Sequence, residues 1–171
     1  HGGGMDLKFP HHENEIAQSE AACDCEFARY WLHAGLLTIN GEKMSKSLGN
    51  FHTIRDVLAE HHPEVVRYFM LSGSYRSPLN YSAESMQQMR TSLSRLYKSM
   101  AGLNEVAPVV DSAFEQRFVA AMDDDFNTPE AFAVLFDLAR EIQRLRGEDD
   151  TAASAHAALL RSLGALLGVL Q

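Results

Sequence analysis

The second half of the chain is dominated by apolar residues at helical spacing. Beyond residue 82 they recur every three or four positions, which places them on one face of a helix. Three such stripes contain Met86, Met89, Leu93, Leu96, Met100 and Leu103; Ala131, Leu135, Leu138, Ile142 and Leu145; and Leu159, Leu163, Leu166 and Leu170. Ser82 is expected to cap the first helix, and Thr128, followed by Pro129, another. With a shorter helix through Phe114 and Phe118, these stripes predict an antiparallel bundle.

The first half of the chain predicts a mixture of helix and strand. Residues from Pro10 to about Ala22 have helical character, and alternating apolar and β-prone residues from about Phe27 to Ile39 predict a strand. A capping-box-like sequence at residues 53–56 predicts a helix to about Glu60, and Pro63 begins another that runs to about Leu71. Residues 75–78 are expected to form a loop.

The composition is typical of a soluble globular protein, with 46% apolar and 22% charged residues among 171. No apolar run approaches the roughly 20 residues that cross a membrane, and there is no signal-peptide pattern. The protein is therefore expected in the cytoplasm, without a membrane partner. Because the chain begins at His1 without methionine and ends at Gln171 inside an apolar pattern, it is expected to be a piece of a longer protein.

The formal net charge of the chain is -8, so binding to RNA would need a local basic surface. Arg90, Arg95 and Lys98 form a modest basic stripe on the helix predicted after Ser82. Contact with RNA is the functional interpretation of this stripe, and a solvated helix face is the alternative.

A lysine-rich loop is expected where the predicted strand ends. After a polar turn at residues 40–42, the sequence is Lys43-Met44-Ser45-Lys46-Ser47. Two lysines can act as movable charges on phosphate oxygens, while hydroxyl and backbone N–H groups complete an anion site. An exposed turn would explain an isolated lysine pair, but the complete pentapeptide is far rarer. The glycines at residues 2–4 are a weaker signal for a nucleotide, since glycine permits close approach of the backbone to a ligand.

His11 and Glu15 are candidate ligands of a zinc ion. They lie four residues apart on one face of the predicted helix, and imidazole nitrogen and carboxylate oxygen are common zinc ligands. A polar helix start with Glu15 near the positive helix end is the alternative. Cys23 follows Glu15 by eight helical residues, about 12 Å of rise, so Cys23 and Cys25 are expected to be bystanders. Since they are so close in sequence, they are also expected not to form a disulfide.

The motifs at residues 1–7, 9–15 and 43–47, in this order and spacing, resemble those of cysteinyl-tRNA synthetases, a family of class I aminoacyl-tRNA synthetases. The resemblance covers essentially the whole chain. It implies a mixed α/β to mainly α fold, the end of a Rossmann-like nucleotide-binding core followed by an antiparallel helical bundle. It also implies three segments: the C-terminal part of the catalytic domain (1–52), a stem-contact-like helical connection (53–104) and a truncated tRNA-binding helical domain (105–171).

The resemblance further implies a chemistry. The family uses ATP, with Mg²⁺, to convert cysteine to cysteinyl-adenylate and transfers the cysteine to the 3′ end of tRNA(Cys), while zinc selects the substrate thiolate. His11 and Glu15 would hold zinc, with two cysteines upstream of this chain, and Lys43 and Lys46 would be catalytic. ATP would be bound by Lys43, Ser45, Lys46, Ser47, Gly3, Gly4 and Asp6, and tRNA by Arg90, Arg95 and Lys98. The longer protein is expected to be monomeric, and the isolated chain inactive.

Two other functions fit parts of the sequence. The cysteine ligase of mycothiol synthesis shares the zinc, the adenylation step and the lysine loop, but its acceptor is an aminosugar. The run from His12 to Gln18 resembles the tRNA synthetases more closely. A non-catalytic helical module that binds RNA or protein would have no reason to keep both lysines together with the His11 and Glu15 pair.

Overall fold

The computed structural model describes residues 1–44, 49, 52–110 and 112–171. The chain forms two compact units: the first contains His1–Phe51 and Tyr75–Tyr81, and the second His52–Ser74 and Ser82–Gln171. The three segments expected from the sequence divide the chain differently and stay a prediction.

The first unit combines short strands with a helix. In chain order these are β1 (Gly2–Gly4), α1 (Glu13–Cys23), β2 (Leu32–Ala34), β3 (Leu37–Ile39), β4 (Glu42–Lys43) and β5 (Leu79–Tyr81). β1 pairs in parallel with β2, with Gly3 opposite His33. In a second sheet, β3 lies between β4, which is antiparallel to it, and β5, which is parallel.

The prediction of one strand over residues 27–39 is wrong. Only Leu32–Ala34 and Leu37–Ile39 are strands, and they belong to different sheets. The break falls at Gly35, whose N–H donates to the Tyr75 carbonyl oxygen at 2.7 Å. A Cβ at Gly35 would overlap the Ser77 carbonyl group, so the sequence separates the two strands with the residue that tolerates this close approach. The segment at 75–78 is a loop, as predicted, but strand β5 directly after it was missed.

The approach to the lysine loop also differs from the prediction. Instead of passing from a strand into a loop, the chain makes a hairpin: β3 turns through Asn40 and Gly41 into β4. Both turn residues have positive φ, 49° and 83°, as a type I′ hairpin turn requires. The Asn80 side-chain oxygen accepts the Gly41 N–H at 2.7 Å, which ties the turn to β5. Lys43 is therefore the last residue of a strand.

The helix predicted over residues 10–22 is confirmed, with a different beginning. A 3-10 turn at Met5–Leu7 and a π-helical turn at Lys8–His12 precede α1, so Pro10 lies in the wide turn rather than in the α-helix. α1 then continues without interruption to Cys23 and ends where Asp24 adopts the left-handed conformation, with φ 49°.

The second unit is a bundle of helices. These are α2 (Ile54–Glu60), α3 (Pro63–Leu71), α4 (Ala83–Met100), α5 (Ala113–Asp123), α6 (Thr128–Leu145) and α7 (Asp150–Leu166). The predicted caps at Thr53 and Ser82 are present, each in a reciprocal capping box. Helix α6 packs against α4, α5 and α7, and Leu135, Leu138 and Ile142 on it are wholly shielded from solvent. The mixed α/β to mainly α fold is confirmed.

Three details of the predicted bundle need correction. Asn127, not Thr128, caps α6, because its side-chain oxygen accepts the Glu130 N–H at 3.3 Å. Leu166 is 74% exposed although its spacing predicts burial, whereas Leu170 is buried but lies beyond the end of α7. The chain turns back after the helix, and a Cβ on Gly164 would lie 2.7 Å from the Leu170 side chain. Among the other predicted core residues, Met89, Leu103 and Leu145 are only half-buried.

Glu64 on α3 holds this returning segment. Its buried carboxylate accepts the backbone N–H groups of Leu170 and Gln171, at 3.0 and 3.1 Å. The Tyr97 hydroxyl on α4 donates to the same carboxylate, 2.8 Å from one oxygen and 2.9 Å from the other. Burial and the neighbouring Glu64 carboxylate raise the pKa of Tyr97 to about 12, which keeps the phenol in its donating form. One carboxylate thus joins α3, α4 and the chain beyond α7.

Replacing Glu64 with alanine is expected to lower the free energy of unfolding by about 2–3 kcal/mol, because the loss of a charged acceptor leaves its donors unsatisfied. Urea denaturation followed by circular dichroism measures this change. Glu60→Ala, at an exposed position on α2, is the matched control and should change the stability by less than about 0.5 kcal/mol. Equal losses in the two variants would contradict the role assigned to the Glu64 carboxylate.

Candidate metal centre and nucleotide site

A cluster of metal-binding groups forms where β1 and α1 meet. The donor atoms of His1, His12 and Glu15 all lie within 4.8 Å of one another. His1 Nε2 is 2.9 Å from one carboxylate oxygen of Glu15, and His12 Nε2 is 3.9 Å from the same oxygen. His12 is buried, with 3% of its surface exposed, while a third of the Glu15 side chain is open to solvent. A buried imidazole beside an accessible carboxylate can bind a cation that arrives from outside.

Gly3 creates the space for the His12 ring. A Cβ on Gly3 would lie 2.9 Å from His12 Cε1 and 3.0 Å from His12 Nε2. Such contacts are shorter than van der Waals separation, so only glycine lets the imidazole lie directly against the strand. Within the first unit, Gly3 therefore leaves room for the ring of His12, a member of the cluster.

The orientation of the His12 ring is fixed from its other edge. His12 Nδ1 lies 2.8 Å from His33 Nε2, so the two rings share a hydrogen bond. His33 is opposite Gly3 in the β1–β2 pair, and the Trp31 ring is 5.3 Å from the His12 ring. Because one nitrogen of His12 is engaged with His33, the other, Nε2, is the one that faces Glu15.

The structure brings the predicted zinc ligands His11 and Glu15 near each other, but it does not place His11 in the cluster of His1, His12 and Glu15. His11 Nε2 is 3.7 Å from the second carboxylate oxygen of Glu15, as the four-residue spacing on a helix implies. This separation is close to the distance between two ligands of a tetrahedral zinc ion at bonds of about 2.0–2.2 Å. His11 is, however, 61% exposed in its side chain and lies outside the cluster of His1, His12 and Glu15. The donor set fits zinc, and the assignment of His11 and Glu15 as its ligands stays a prediction.

Sequence reasoning missed His1 and His12 as members of the cluster. His12 is three residues before Glu15 and could have been noticed from that spacing, which also puts side chains on one face of a helix. His1 could not, since its approach to Glu15 depends on where β1 lies. Glu15 is the residue common to both sets of candidate ligands.

The two cysteines form a disulfide with each other, contrary to the expectation that they would not. Asp24 between them is in the left-handed conformation, which brings the two Cα atoms to 5.3 Å, within the usual range for a disulfide. Neither cysteine belongs to the metal-binding cluster found among the described residues.

The residues proposed for nucleotide binding are described only in part. Gly3 and Gly4 lie in β1, and Asp6 lies in the turn after it, where its carboxylate occupies the space that a Cβ on Gly4 would need. Lys43 ends β4. Ser45, Lys46 and Ser47 lie outside the described residues. The ATP-binding and catalytic assignments therefore stay predictions.

The predicted basic stripe is exposed on α4, as all three of its members are open to solvent. Arg95 and Lys98 line a groove that α4 forms with α6, whereas Arg90 is not among its lining residues. In the described part of the chain, each helix is too short or too polar to span a lipid bilayer.

Two family models match the chain. Residues 1–91 match the catalytic domain of tRNA synthetases class I (C), and residues 117–171 match the DALR domain. Among curated proteins, the cysteine–tRNA ligase of Pseudomonas aeruginosa strain LESB58 is 60% identical over 171 residues, and that of Salmonella paratyphi B is 59% identical over 172. In both cases the match covers 100% of this chain and 37% of the relative's length.

Solved structures of a LeuRS and of a methionyl-tRNA synthetase share the fold. The LeuRS of Agrobacterium radiobacter K84, in a ternary complex with tRNA and LeuAMS, matches 96% of this chain and 24% of its own at a TM-score of 0.75 and 20% identity. Mycobacterium tuberculosis methionyl-tRNA synthetase with methionyl-adenylate matches 98% of this chain and 40% of its own, at a TM-score of 0.63 and 18% identity. At these identities the likeness concerns the fold alone.

Substituting Gly3 with alanine is expected to displace the His12 ring, because the added methyl group would come within 2.9 Å of Cε1. The imidazole NMR signals of His12 and its partner His33 should shift strongly. Gly2→Ala in the same strand is the control, since the nearest atom to its Cβ is the Leu32 carbonyl oxygen at 3.3 Å, and it should leave both rings in place. Unchanged His12 signals in Gly3→Ala would refute the packing argument.

Proposed function

The chain belongs to the tRNA synthetases class I (C) catalytic-domain family, and we propose that it forms part of a cysteine–tRNA ligase. The observation that carries the proposal is the 60% identity to such ligases along all 171 residues. The complete ligase would activate cysteine with ATP to cysteinyl-adenylate and transfer it to the 3′ end of tRNA(Cys). Since the chain spans 37% of the length of these relatives, the proposed activity is that of the complete ligase, and the isolated chain is proposed to be inactive.

The metal-binding face of α1 would select the amino acid. Cysteine and serine differ little in size, so the shape of a pocket separates them poorly. His11 and Glu15 would hold zinc, which when bound supplies an open coordination position that favours a soft thiolate over a hydroxyl group. The His12 ring, fixed by His33 at 2.8 Å, would keep the Glu15 side chain oriented from the buried side. This support is consistent with the partial burial of Glu15.

The lysine loop would act on ATP. Attack of the cysteine carboxylate on the α-phosphate builds up negative charge on the phosphate oxygens, and pyrophosphate leaves. Lys43 and Lys46 would stabilise this charge more strongly in the transition state than in the ground state, with Lys46 having the larger effect. Ser45 and Ser47 would donate to the phosphates, and Mg²⁺ would accompany ATP. Gly3, Gly4 and Asp6 would lie along the adenosine.

The three segments named from the sequence complete the proposal. Residues 1–52 would belong to the catalytic domain, 53–104 to a helical connection, and 105–171 to a helical domain that binds tRNA. The DALR match over residues 117–171 supports the last of these. The complete ligase is proposed to be a cytoplasmic monomer.

A hybrid ligase tests the proposal. This chain would replace the 171 matching residues of the Pseudomonas aeruginosa relative, and the hybrid would be assayed for cysteine-dependent exchange of pyrophosphate into ATP and for charging of tRNA(Cys). Both activities are expected. Exchange without charging of tRNA, but with transfer to the aminosugar acceptor, would assign the chain to the mycothiol branch. Absence of exchange would leave a non-catalytic binding module.

In the same hybrid, Lys46→Ala is expected to reduce the exchange rate by about 10²–10³-fold, the usual effect of removing one group that stabilises transition-state charge. Lys8→Ala, which removes an exposed lysine of the same unit, is the control and should change the rate less than about twofold. An unaltered rate in Lys46→Ala would contradict the role of the lysine loop.

The isolated chain is expected to bind Zn²⁺ weakly, because two ligands do not complete a tetrahedral site. Competition with a chromophoric chelator measures the affinity. Glu15→Gln and His11→Ala should each weaken it by about tenfold or more, with Glu13→Gln, at an exposed position on the same helix, as the control. Tight stoichiometric zinc would overturn the two-ligand assignment. A larger loss in His12→Ala than in His11→Ala would move the assignment to the buried cluster.

A further inference from the structure

A disulfide lies at the surface where helix α1 ends, at the opposite end of the helix from the candidate ligand Glu15. It joins Cys23, the last residue of α1, to Cys25, and these are the only cysteines of the chain. Both cysteines and the intervening Asp24 are exposed. A thiol in solution can therefore reach the bond, and access is one of the factors that decide how fast a disulfide exchanges.

The bridge spans a single residue, which confines its effect to one turn of the chain. A disulfide stabilises a protein mainly by restricting the unfolded chain, and it does so least when the loop is short. The residue enclosed by this loop is Asp24, with φ 49° and ψ 43°. Residues with a side chain seldom adopt this left-handed conformation, so a bond that holds Asp24 in it changes the local backbone far more than the global stability.

The chain reverses its direction at Asp24. The Asp24 N–H donates to the Glu20 carbonyl oxygen at 2.9 Å, and the Phe27 N–H donates to the Glu20 carboxylate at 3.2 Å. Residues 25–31, the return segment, form neither helix nor strand. Because the return segment has no ladder of backbone hydrogen bonds of its own, its course depends on the turn from which it starts.

The return segment brings two aromatic rings to the candidate metal centre. The centre of the Phe27 ring is 5.0 Å from that of His1, and the Trp31 ring is 4.9 Å from His1 and 5.3 Å from His12. His1 is in turn 2.9 Å from the Glu15 carboxylate. The turn closed by the disulfide thus decides where the aromatic neighbours of the two histidines lie.

A dithiol in solution can open the bridge by ordinary exchange chemistry. One thiolate of the dithiol attacks a sulfur of the Cys23–Cys25 bond, which breaks, and the other cysteine leaves as a thiolate. The second thiol of the dithiol then attacks the mixed disulfide and releases the remaining cysteine, so that the dithiol becomes a cyclic disulfide. Two electrons and two protons pass to the cysteine pair. Glutathione disulfide reverses the reaction and leaves as two molecules of glutathione.

We propose that Cys23 and Cys25 form a redox-responsive clip on the turn after α1. Closed, the clip holds Asp24 in the left-handed conformation and keeps the return segment against the histidines of the candidate metal centre. Opened by a dithiol, it lets Asp24 leave that conformation and loosens the contacts of Phe27 and Trp31. The inference goes beyond the proposed function and does not need it, because zinc, ATP and tRNA take no part in the opening.

The indole N–H of Trp31 reports on the clip, since Trp31 is the only tryptophan of the 171-residue chain and gives one indole signal by NMR. In the closed form this N–H donates to the Ala28 carbonyl oxygen within the return segment, at 3.1 Å. Reduction with dithiothreitol is expected to shift the signal and to speed hydrogen exchange at the indole nitrogen at least about tenfold, as local opening does. Reoxidation with glutathione disulfide should restore both.

Two variants separate the turn from the chemistry of sulfur. Cys23→Ser with Cys25→Ser should show the Trp31 signal of the reduced chain throughout and should not respond to either reagent. Adding Asp24→Gly to this double variant is expected to return the signal most of the way to its closed position, because glycine adopts the left-handed conformation readily. Circular dichroism would verify that both variants remain folded.

Several results would overturn the proposal. Alkylation of the folded chain followed by mass spectrometry would do so if it showed that dithiothreitol leaves the pair closed or that glutathione disulfide leaves it open. An indole signal that is the same in the oxidised and reduced chains would show that the bridge does not hold the turn. A double variant that still responds to the reagents would place the response elsewhere, and a failure of Asp24→Gly to restore the signal would exclude the turn at Asp24 as its cause.

The clip and the proposed ligase activity can fail separately. The Trp31 measurement uses this chain alone, whereas pyrophosphate exchange and tRNA charging are measured on the hybrid ligase. A hybrid without exchange refutes the proposed function and leaves the response of Trp31 to thiols as it is. An indole signal that ignores reduction refutes the clip and leaves the hybrid assay as it is.

Discussion

The candidate site depends on one steric constraint, the absence of a side chain at Gly3. With any larger residue, the Cβ would meet the His12 ring at 2.9 Å, and the imidazole could not lie against β1. Its position there is what makes the hydrogen bond to His33 at 2.8 Å available and what turns its second nitrogen towards Glu15. Strand pairing of β1 with β2 supplies His33, and the wide turn before α1 supplies His12. The position of the His12 ring thus follows from its close approach to the backbone at Gly3. That position decides which nitrogen of His12 faces Glu15 and can bind a metal ion.

The second unit uses a different kind of constraint, a buried carboxylate that joins separate parts of the chain. Glu64 binds the end of the chain beyond α7 and the Tyr97 hydroxyl on α4. Helix α4 also carries the exposed Arg95 and Lys98, so both cations stand on a helix that is anchored through Tyr97.

Periodic features were predictable from the sequence, and features that depend on distant contacts were not. The stripes of α4 and α6 and the caps at Thr53 and Ser82 were confirmed, because helical spacing and capping are local. The strand expected over 27–39 fails because Gly35 meets residues about 40 positions later. Leu166 is exposed rather than buried, and Leu170 is buried outside the helix, because the chain folds back after α7. At the site, the His11 and Glu15 pair follows from spacing alone, while His1 joins Glu15 only through the placement of β1.

The central claim is that the groups around Glu15 hold the zinc ion that binds the thiolate of the substrate. X-ray absorption at the zinc edge, measured on the zinc-loaded hybrid ligase before and after addition of cysteine, tests it directly. The number of sulfur ligands should rise by about one with cysteine and stay constant with serine, since only a thiolate enters the open position. A sulfur count that does not change with cysteine, or a hybrid that holds no zinc, would contradict the claim.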